Sequence, residues 1–354
     1  MKLKRIVSGI QSSGRLHLGN YLGSISNFAK LQNEYEMFLF VADLHAITVD
    51  FDPSSISNNK LDIVTTYLAS SINPQKVNIF IQSEVLEHTA LSYILMCHTN
   101  LGELERMTQY KAKISDQSLK QDNNTLRIPT GLLIYPTLMA ADILLYQSNL
   151  VPVGADQKQH IELTRDIAIR FNAKYGDTFQ VPEPWIPKIG NRIMDLTDAT
   201  KKMSKSSKSH KGVIFLDESI DSIKQKIKSA KTDSLDQVKF NPTNQPNITN
   251  LINIYISSIN DPINFNLRKK LFNVNNEIVY QDVEQKYKNQ DYRNFKNDLT
   301  EIVVGLVLEI QKNKNKYKDI KVLNQILNEG KLKAQAIAKQ TLEIVYEKIG
   351  FTIK

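Results

Sequence analysis

Two short runs hold residues whose types and spacing suit phosphate chemistry. The first is His17-Leu18-Gly19-Asn20, directly after a strand-like segment and at the start of a helical pattern. A helix N-terminus offers free backbone N–H groups and the positive end of the helix dipole, both suited to phosphate. Gly19 removes a side chain, so a flat base could approach the backbone. His17 could donate to a phosphate as negative charge develops in a transition state. The second run is Lys202-Met203-Ser204-Lys205-Ser206, in a Lys/Ser-rich stretch with almost no apolar content over 197–212. Two lysines flanking small hydroxyl residues can wrap a triphosphate and neutralise a leaving pyrophosphate. Taken singly, each run also reads as ordinary surface: a histidine before a helix, and a solvated basic loop. The pair is more specific than either part.

The elements around the runs supply the means to position them. Residues 4–9, 37–41, 77–81 and 150–153 read as strands. Helical spacing of Leu18, Tyr21, Leu22, Ile25, Phe28 and Leu31, and of Leu61, Val64, Tyr67 and Leu68, separates the first three. The Pro53-Ser54-Ser55 run marks the start of the second of these helices. Pro136 is suited to a first helical position and is expected to open a helix to about Tyr146, with another from Asp156. Alternating strands and helices define an α/β fold with a parallel sheet. The polar run 114–128 reads as a surface loop, and 197–212 as a mobile one. Beyond about 217 helical patterns dominate. The expected organisation is a catalytic domain over 1–189, a helical domain over 190–290, and C-terminal helices over 291–354 that return to the first.

Composition narrows the class. The 354 residues carry a formal net charge of +8, which permits a polyanionic partner such as RNA without requiring one. No apolar run approaches the ~18 residues of a membrane span, and no secretory leader is visible. The one cysteine, Cys97, excludes an intramolecular disulfide, fits a reducing cytoplasm, and is expected to be a buried thiol. His88, His98 and His210 show no metal-ligand spacing, so no metal site is expected.

With both runs in one α/β frame, the chain resembles the class I aminoacyl-tRNA synthetases, whose signatures are of the HIGH and KMSKS types. Gly9-Ile10-Gln11 with Ser13-Gly14 and Gly19-Asn20-Tyr21 is similar to the opening of the bacterial tryptophanyl-tRNA synthetases. The similarity continues through Asp43–Thr48, Gly102–Gln109, Tyr135–Leu144, Val151–Gly154 with Asp156–His160, and Lys333–Lys348, so it spans nearly the whole chain. It implies a Rossmann-like catalytic domain with a mostly α-helical second domain. It further implies ATP with Mg²⁺ as cofactors, L-tryptophan and its tRNA as substrates, a homodimer, and an aminoacyl-adenylate intermediate. Neither a membrane nor DNA is an expected partner.

The resemblance also implies roles. His17, Gly19, Asn20, Lys202 and Lys205 would carry catalysis. Gln11, Ser13, Gly19, Asn20, Gly154, Asp156, Gln157, Ile193, Met194, Lys202, Met203, Ser204, Lys205 and Ser206 would meet ATP. Gln11, His45, Tyr135, Met139, Asp142 and Gln157 would meet tryptophan. Physical chemistry runs alongside: Tyr135, Met139 and Asp142 follow at steps of four and three and can share a helix face. An apolar side chain beside a carboxylate suits a flat ring with one N–H. Without the resemblance, Asp142 reads rather as a buried helix aspartate paired to a neighbour, and His45 as a satisfied core histidine.

Lys312, Lys314, Lys316, Lys318 and Lys321, with Tyr317 among them, suit tRNA phosphates or are merely a solvated helix end. The sequence departs from the family at Ser12, Ala155, Ala199 and Ser207, none of them a proposed catalytic group. Three rivals remain. A tyrosyl synthetase shares both signatures, but the Met139/Asp142 face and the Gly102–Gln109 block argue against it. A silent RNA-binding paralogue would not need the intact phosphate-binding residues. A small-molecule nucleotidyltransferase would not need the long helical second half.

Overall fold

The structure is a computed structural model and describes residues 3–48, 51–114, 128–154, 157–187, 190, 192–205 and 209–352, without the side chain of Lys113. Five strands form one parallel sheet: β1 (Arg5–Gln11), β2 (Glu36–Ala42), β3 (Val77–Ile81), β4 (Leu150–Pro152) and β5 (Glu183–Trp185), in the order β3-β2-β1-β4-β5. Register is set by pairs such as Val7↔Phe38, Leu39↔Ile79, Ile6↔Leu150 and Val151↔Pro184. Chain direction across the sheet reverses at β1, so the crevice at its carboxyl end, between β1 and β4, is where ligands bind in open α/β sheets.

Both faces of the sheet are buried, as a parallel sheet requires. Ile6, Met37, Leu39, Val41, Ile79 and Ile81 face one core, which runs without a break into Ile193, Val213, Leu251, Tyr255, Phe295 and Leu306. Val7, Phe38, Phe40 and Phe80 face the other, with Leu91, Leu95, Leu144, Tyr146 and Phe171. Alternate residues of each strand thus serve opposite cores.

The last helix, Ile320–Lys348, lies along the edge strand β3. Its Leu323 and Leu327 join the first core, and its Ala334, Ala338, Leu342 and Val345 join the second. Gly330 sits between them, where a Cβ would come within 2.0 Å of the Ile79 carbonyl oxygen. The missing side chain lets the helix cover a strand edge that would otherwise offer unpaired backbone groups.

Two expectations need correction, and one strand is new. Pro136 does not open its helix; the helix runs Thr130–Leu144 with Pro136 inside it. Pro129 already provides the extended residue at the N-cap, and the first turn needs no amide partners, so the helix begins earlier. Pro136 removes one later backbone bond, a local loss that flanking burial of Leu132, Thr137 and Ala140 outweighs. Cys97 is exposed, not buried. It ends the helix Glu87–Cys97, whose buried stripe is His88, Leu91, Ile94 and Leu95; Cys97 falls four residues after exposed Tyr93, on the outer face. The strand β5 has no counterpart in the sequence reading, because Pro182 and Pro184 flank and interrupt it; as an edge strand it tolerates them. Helix Pro53–Ala69 forms as expected, with Asp52 as N-cap and Pro53 in the first turn.

Candidate active site

A cavity of about 310 Å³ opens at the carboxyl ends of β1 and β4. Gly9 and Gln11 of β1, Ala42 at the end of β2 with His45 beyond it, Pro152 at the end of β4 with Val153 and Gly154 beyond it, and Tyr135, Met139 and Asp142 of the 130–144 helix line it. Gln157 completes the wall. The helix therefore presents the three residues expected to share a face, although it starts a turn and a half before Pro136. Gln11 donates from its amide to the His45 carbonyl at 2.9 Å, closing the β1 side.

Asp142 is buried at the cavity floor and is the most connected acceptor in it. Gln82 Nε2 donates to Oδ1 at 2.7 Å, His88 Nδ1 lies 2.6 Å from the same oxygen, and His45 Nε2 lies 2.7 Å from Oδ2. Burial pushes its carboxyl pKa up, but the bonds from His45 and His88 outweigh burial and hold it at about 2. It is an ionised, accept-only group at neutral pH. Gln82 and His88 carry no local sequence signal: they lie 60 and 54 residues away, and only the fold brings them together.

Tyr135 has its own support. Its hydroxyl lies 2.7 Å from His160 Nε2 and 3.3 Å from Gln109 Oε1. Burial raises its pKa to about 12, so the hydroxyl keeps its proton. Gln109 and His160 belong to the sequence blocks noted above, but nothing in their spacing announced this contact.

The histidine run and the lysine run meet at the other side of the crevice. Backbone bonds Leu18 N–H to Ile214 O (2.8 Å) and Leu216 N–H to Leu16 O (3.0 Å) dock the first onto residues 213–216. The capping box is reciprocal: the Asn20 amide donates to His17 Nδ1 and the His17 amide donates to Asn20 Oδ1. Since Nδ1 accepts, the ring proton sits on Nε2, which makes neutral His17 a hydrogen-bond donor. Burial, helped by Lys205 and Lys202, lowers its pKa to about 4. A Cβ on residue 19 would come 3.0 Å from His17 Nδ1 and 3.4 Å from Met203 Cβ, so glycine is what lets the two runs approach.

The lysine run is less loose than its composition suggests. Lys202 bridges to Met194, Met203 donates from its amide to the Ile193 carbonyl, and Met203 is buried. Asn250 clamps Met194 by taking its N–H and donating to its carbonyl, at 2.8 and 3.0 Å. The Ile193 side chain is buried in the core. Lys205 reaches across to Ser13 Oγ at 2.8 Å, and burial lowers its pKa to about 8. Ser204 is described nearby, whereas Asp156 and Ser206, with the departures Ala155 and Ser207, lie outside the described residues. Ser12 is buried and Ala199 donates from its amide to Asn247 Oδ1.

Among the described residues no group of three or more His, Cys, Asp or Glu is placed to hold a metal ion, and no helix is long and apolar enough to cross a membrane. Of the basic cluster, Lys314 pairs with Asp62, Lys312 with Glu309, and Lys316 with Asn313, while Tyr317 packs against the core.

A doubly wound sheet with these two runs facing each other at its switch point defines a class, and the comparisons agree. A family profile described as tRNA synthetases class I (W and Y) matches residues 2–308. The chain belongs to that family. The tryptophan--tRNA ligase of Mycoplasma pneumoniae is 47% identical over 348 residues, covering 98% of each chain. The crystal structure of tryptophanyl-tRNA synthetase from Mycoplasma pneumoniae superposes with a TM-score of 0.92 at 45% identity, over 98% of both chains. That from Campylobacter jejuni, complexed with ADP and tryptophan, gives 0.72 at 33% identity, over 98% of this chain and 99% of the other. Within the family the chain is of the bacterial tryptophanyl type, and it is a tryptophan–tRNA ligase.

Proposed function

We propose that the 310 Å³ cavity binds L-tryptophan with its indole N–H on Asp142, and that ATP lies between the histidine and lysine runs. The observation that carries this reading is an ionised, buried carboxylate at the end of an apolar slot, with Met139 on its wall. Each carboxylate oxygen can accept two hydrogen bonds, so Oδ2 retains capacity beside His45. Phenylalanine offers no N–H and would leave that oxygen desolvated. A site built for a substrate hydrogen bond can reject the analogue lacking it by roughly 10⁴–10⁵. Gln11, Tyr135 and Gln157 would hold the ammonium and carboxylate groups.

The first step forms a bond between a tryptophan carboxylate oxygen and the α-phosphorus and breaks the bond to the departing pyrophosphate. No protein nucleophile takes part. His17 Nε2–H, the backbone at Gly19 and Asn20, and Ser13 would meet phosphate oxygens; Lys202, Met203, Ser204, Lys205 and Ser206 would wrap the leaving group; Gly154, Asp156, Gln157, Ile193 and Met194 would hold the nucleoside. Catalysis is then positioning plus charge stabilisation. Mg²⁺ would arrive on the ATP phosphates and supply charge neutralisation there. The side chains facing them are cationic, which suits an anionic metal–nucleotide complex and not a bare ion. In the second step the 3′-terminal hydroxyl of tRNA attacks the acyl carbon and AMP leaves.

By the same reading, residues 1–189 form the catalytic domain for both small substrates, completed by Ile193, Met194 and the lysine run; 190–290 form the helical tRNA-binding part, and 291–354 brace the first. Lys318 and Lys321 remain exposed for tRNA phosphates. A second copy of the chain would cover exposed Leu86 and Tyr93, two helical turns apart. The setting is cytoplasmic. The test is amino-acid-dependent exchange of pyrophosphate into ATP with tryptophan, tyrosine and phenylalanine. Exchange with tryptophan alone, lost in Asp142→Ala, is expected; exchange with tyrosine would move the substrate assignment.

A further inference from the structure

His88 is wholly buried and does not line the cavity; its one hydrogen bond to a cavity-lining residue among the described residues is to Asp142. Its Nδ1 lies 2.6 Å from Asp142 Oδ1 and its Nε2 lies 2.8 Å from the Tyr146 hydroxyl. Its ring is caged by Phe40, Phe80 and Tyr146, with centroids 5.8, 6.1 and 5.5 Å away.

Proton bookkeeping assigns the tautomer. Asp142 is ionised and accepts only, so Nδ1 must carry a proton. Burial holds the Tyr146 phenol protonated, so its O–H can donate to Nε2. Among the described residues Tyr146 O–H has no second acceptor, so a doubly protonated ring would leave that O–H stranded in the core, a costly state. The neutral Nδ1–H form satisfies the whole row Tyr146–His88–Asp142.

A carboxylate torsion is broad and roughly two-fold, so an aspartate held at one point can turn. Here Oδ1 is fixed from the core by two donors, Gln82 and His88. Oδ2 is left on the side of His45, which does line the cavity. We propose that His88, held as its Nδ1–H tautomer by Tyr146, is a positioning residue that aims Asp142 Oδ2 at the ring N–H of the amino-acid substrate and so sets ring specificity. This rests on the reading of Asp142 as the indole acceptor.

The experiment compares wild type, His88→Leu, His88→Asn, Tyr146→Phe and Asp142→Ala in tryptophan-dependent pyrophosphate exchange, with phenylalanine as competitor. Removing an outer hydrogen bond that orients a metal ligand costs about 10–100-fold, and the same scale is expected for an oriented substrate-binding carboxylate. His88→Leu should therefore raise the tryptophan KM by about that factor, narrow the tryptophan-to-phenylalanine ratio, and leave the ATP KM unmoved. His88→Asn, whose amide can replace the Nδ1–H, should restore most of both, and Tyr146→Phe should lose less than His88→Leu. Nitrogen-15 spectra of the wild-type histidines, with the His88 signals assigned by their absence in His88→Asn, should show the Nδ1–H tautomer and serve if His88→Leu does not fold. A folded His88→Leu enzyme with unchanged tryptophan KM, or an Nε2–H tautomer, overturns the proposal. If Asp142→Ala itself keeps tryptophan exchange, the acceptor reading fails instead, which is a separate outcome.

Discussion

The two ends of the crevice are built on opposite principles. At the indole end, a carboxylate is buried and still ionised because three donors converge on it. At the phosphate end, burial lowers the pKa of a lysine and of a histidine, with nearby lysines adding to the effect on the histidine. The first end is positioned before substrate arrives, with acceptor capacity left on Oδ2, and can be rigid. The second holds a lysine whose charge burial disfavours, and a bound anion would favour the charged form of Lys205 again. On the proposed reading, specificity and rate sit in separate groups of residues.

The sharpest way to break that division is Lys205→Ala. Removing a cation aimed at developing phosphate charge should lower the activation rate by about 10²–10³-fold. Tryptophan affinity, measured by quenching or calorimetry without ATP, should stay within about twofold, since the change leaves the Asp142 network untouched. A comparable loss of tryptophan affinity would mean the two ends are one unit.

The pH profile sharpens the same contrast. Lys205 has a pKa of about 8 in the folded chain, below the ordinary lysine value, so its charged form is present below that pH and lost above it. The profile of kcat/KM for ATP reports the free enzyme. It should be flat near pH 7 and fall above pH about 8, tenfold per unit. Lys205→Arg, whose guanidinium stays charged, should abolish that alkaline limb even if its plateau is lower. Tryptophan binding alone should show no break near pH 8, because Asp142 is held at about 2.

Legibility in the sequence follows the same divide. The two runs proposed to meet phosphate stand out in the sequence because their groups are contiguous: His17 to Asn20 cap a helix locally, and Lys202 to Lys205 are neighbours. The first four strands were readable because they are largely buried and apolar. Asp142, Met139 and Tyr135 were readable as one helix face whatever the helix start, since spacing survives a misplaced boundary. What supports Asp142 was not readable. Gln82 stands just after β3 and His88 in the first turn of the helix Glu87–Cys97, and their value lies in a meeting with residue 142 that no local pattern encodes. The early helix start, the proline-bearing β5 and the exposed Cys97 share that cause: in each, tertiary placement overrode a local signal.

The smallest effect expected is at Arg15, which stands beside the histidine run and would be tempting as an ATP ligand. Its guanidinium lies 4.1 Å from the Phe215 ring centroid and pairs with Asp217, and both members of that pair are about half exposed. Exposed pairs contribute little, roughly 0–1 kcal/mol, and an exposed cation–π contact adds about 0.5–1 kcal/mol. The histidine run is docked mainly by backbone bonds from Leu18 to Ile214 and from Leu216 to Leu16, which Arg15→Ala leaves in place. The ATP KM of that variant should therefore stay within about threefold, the range that ~0.6 kcal/mol allows. A rise beyond about thirtyfold would show that Arg15 swings off Phe215 to meet the nucleotide. The phosphate end would then rearrange on binding, and its contrast with the preformed indole end would be larger than the unbound geometry shows.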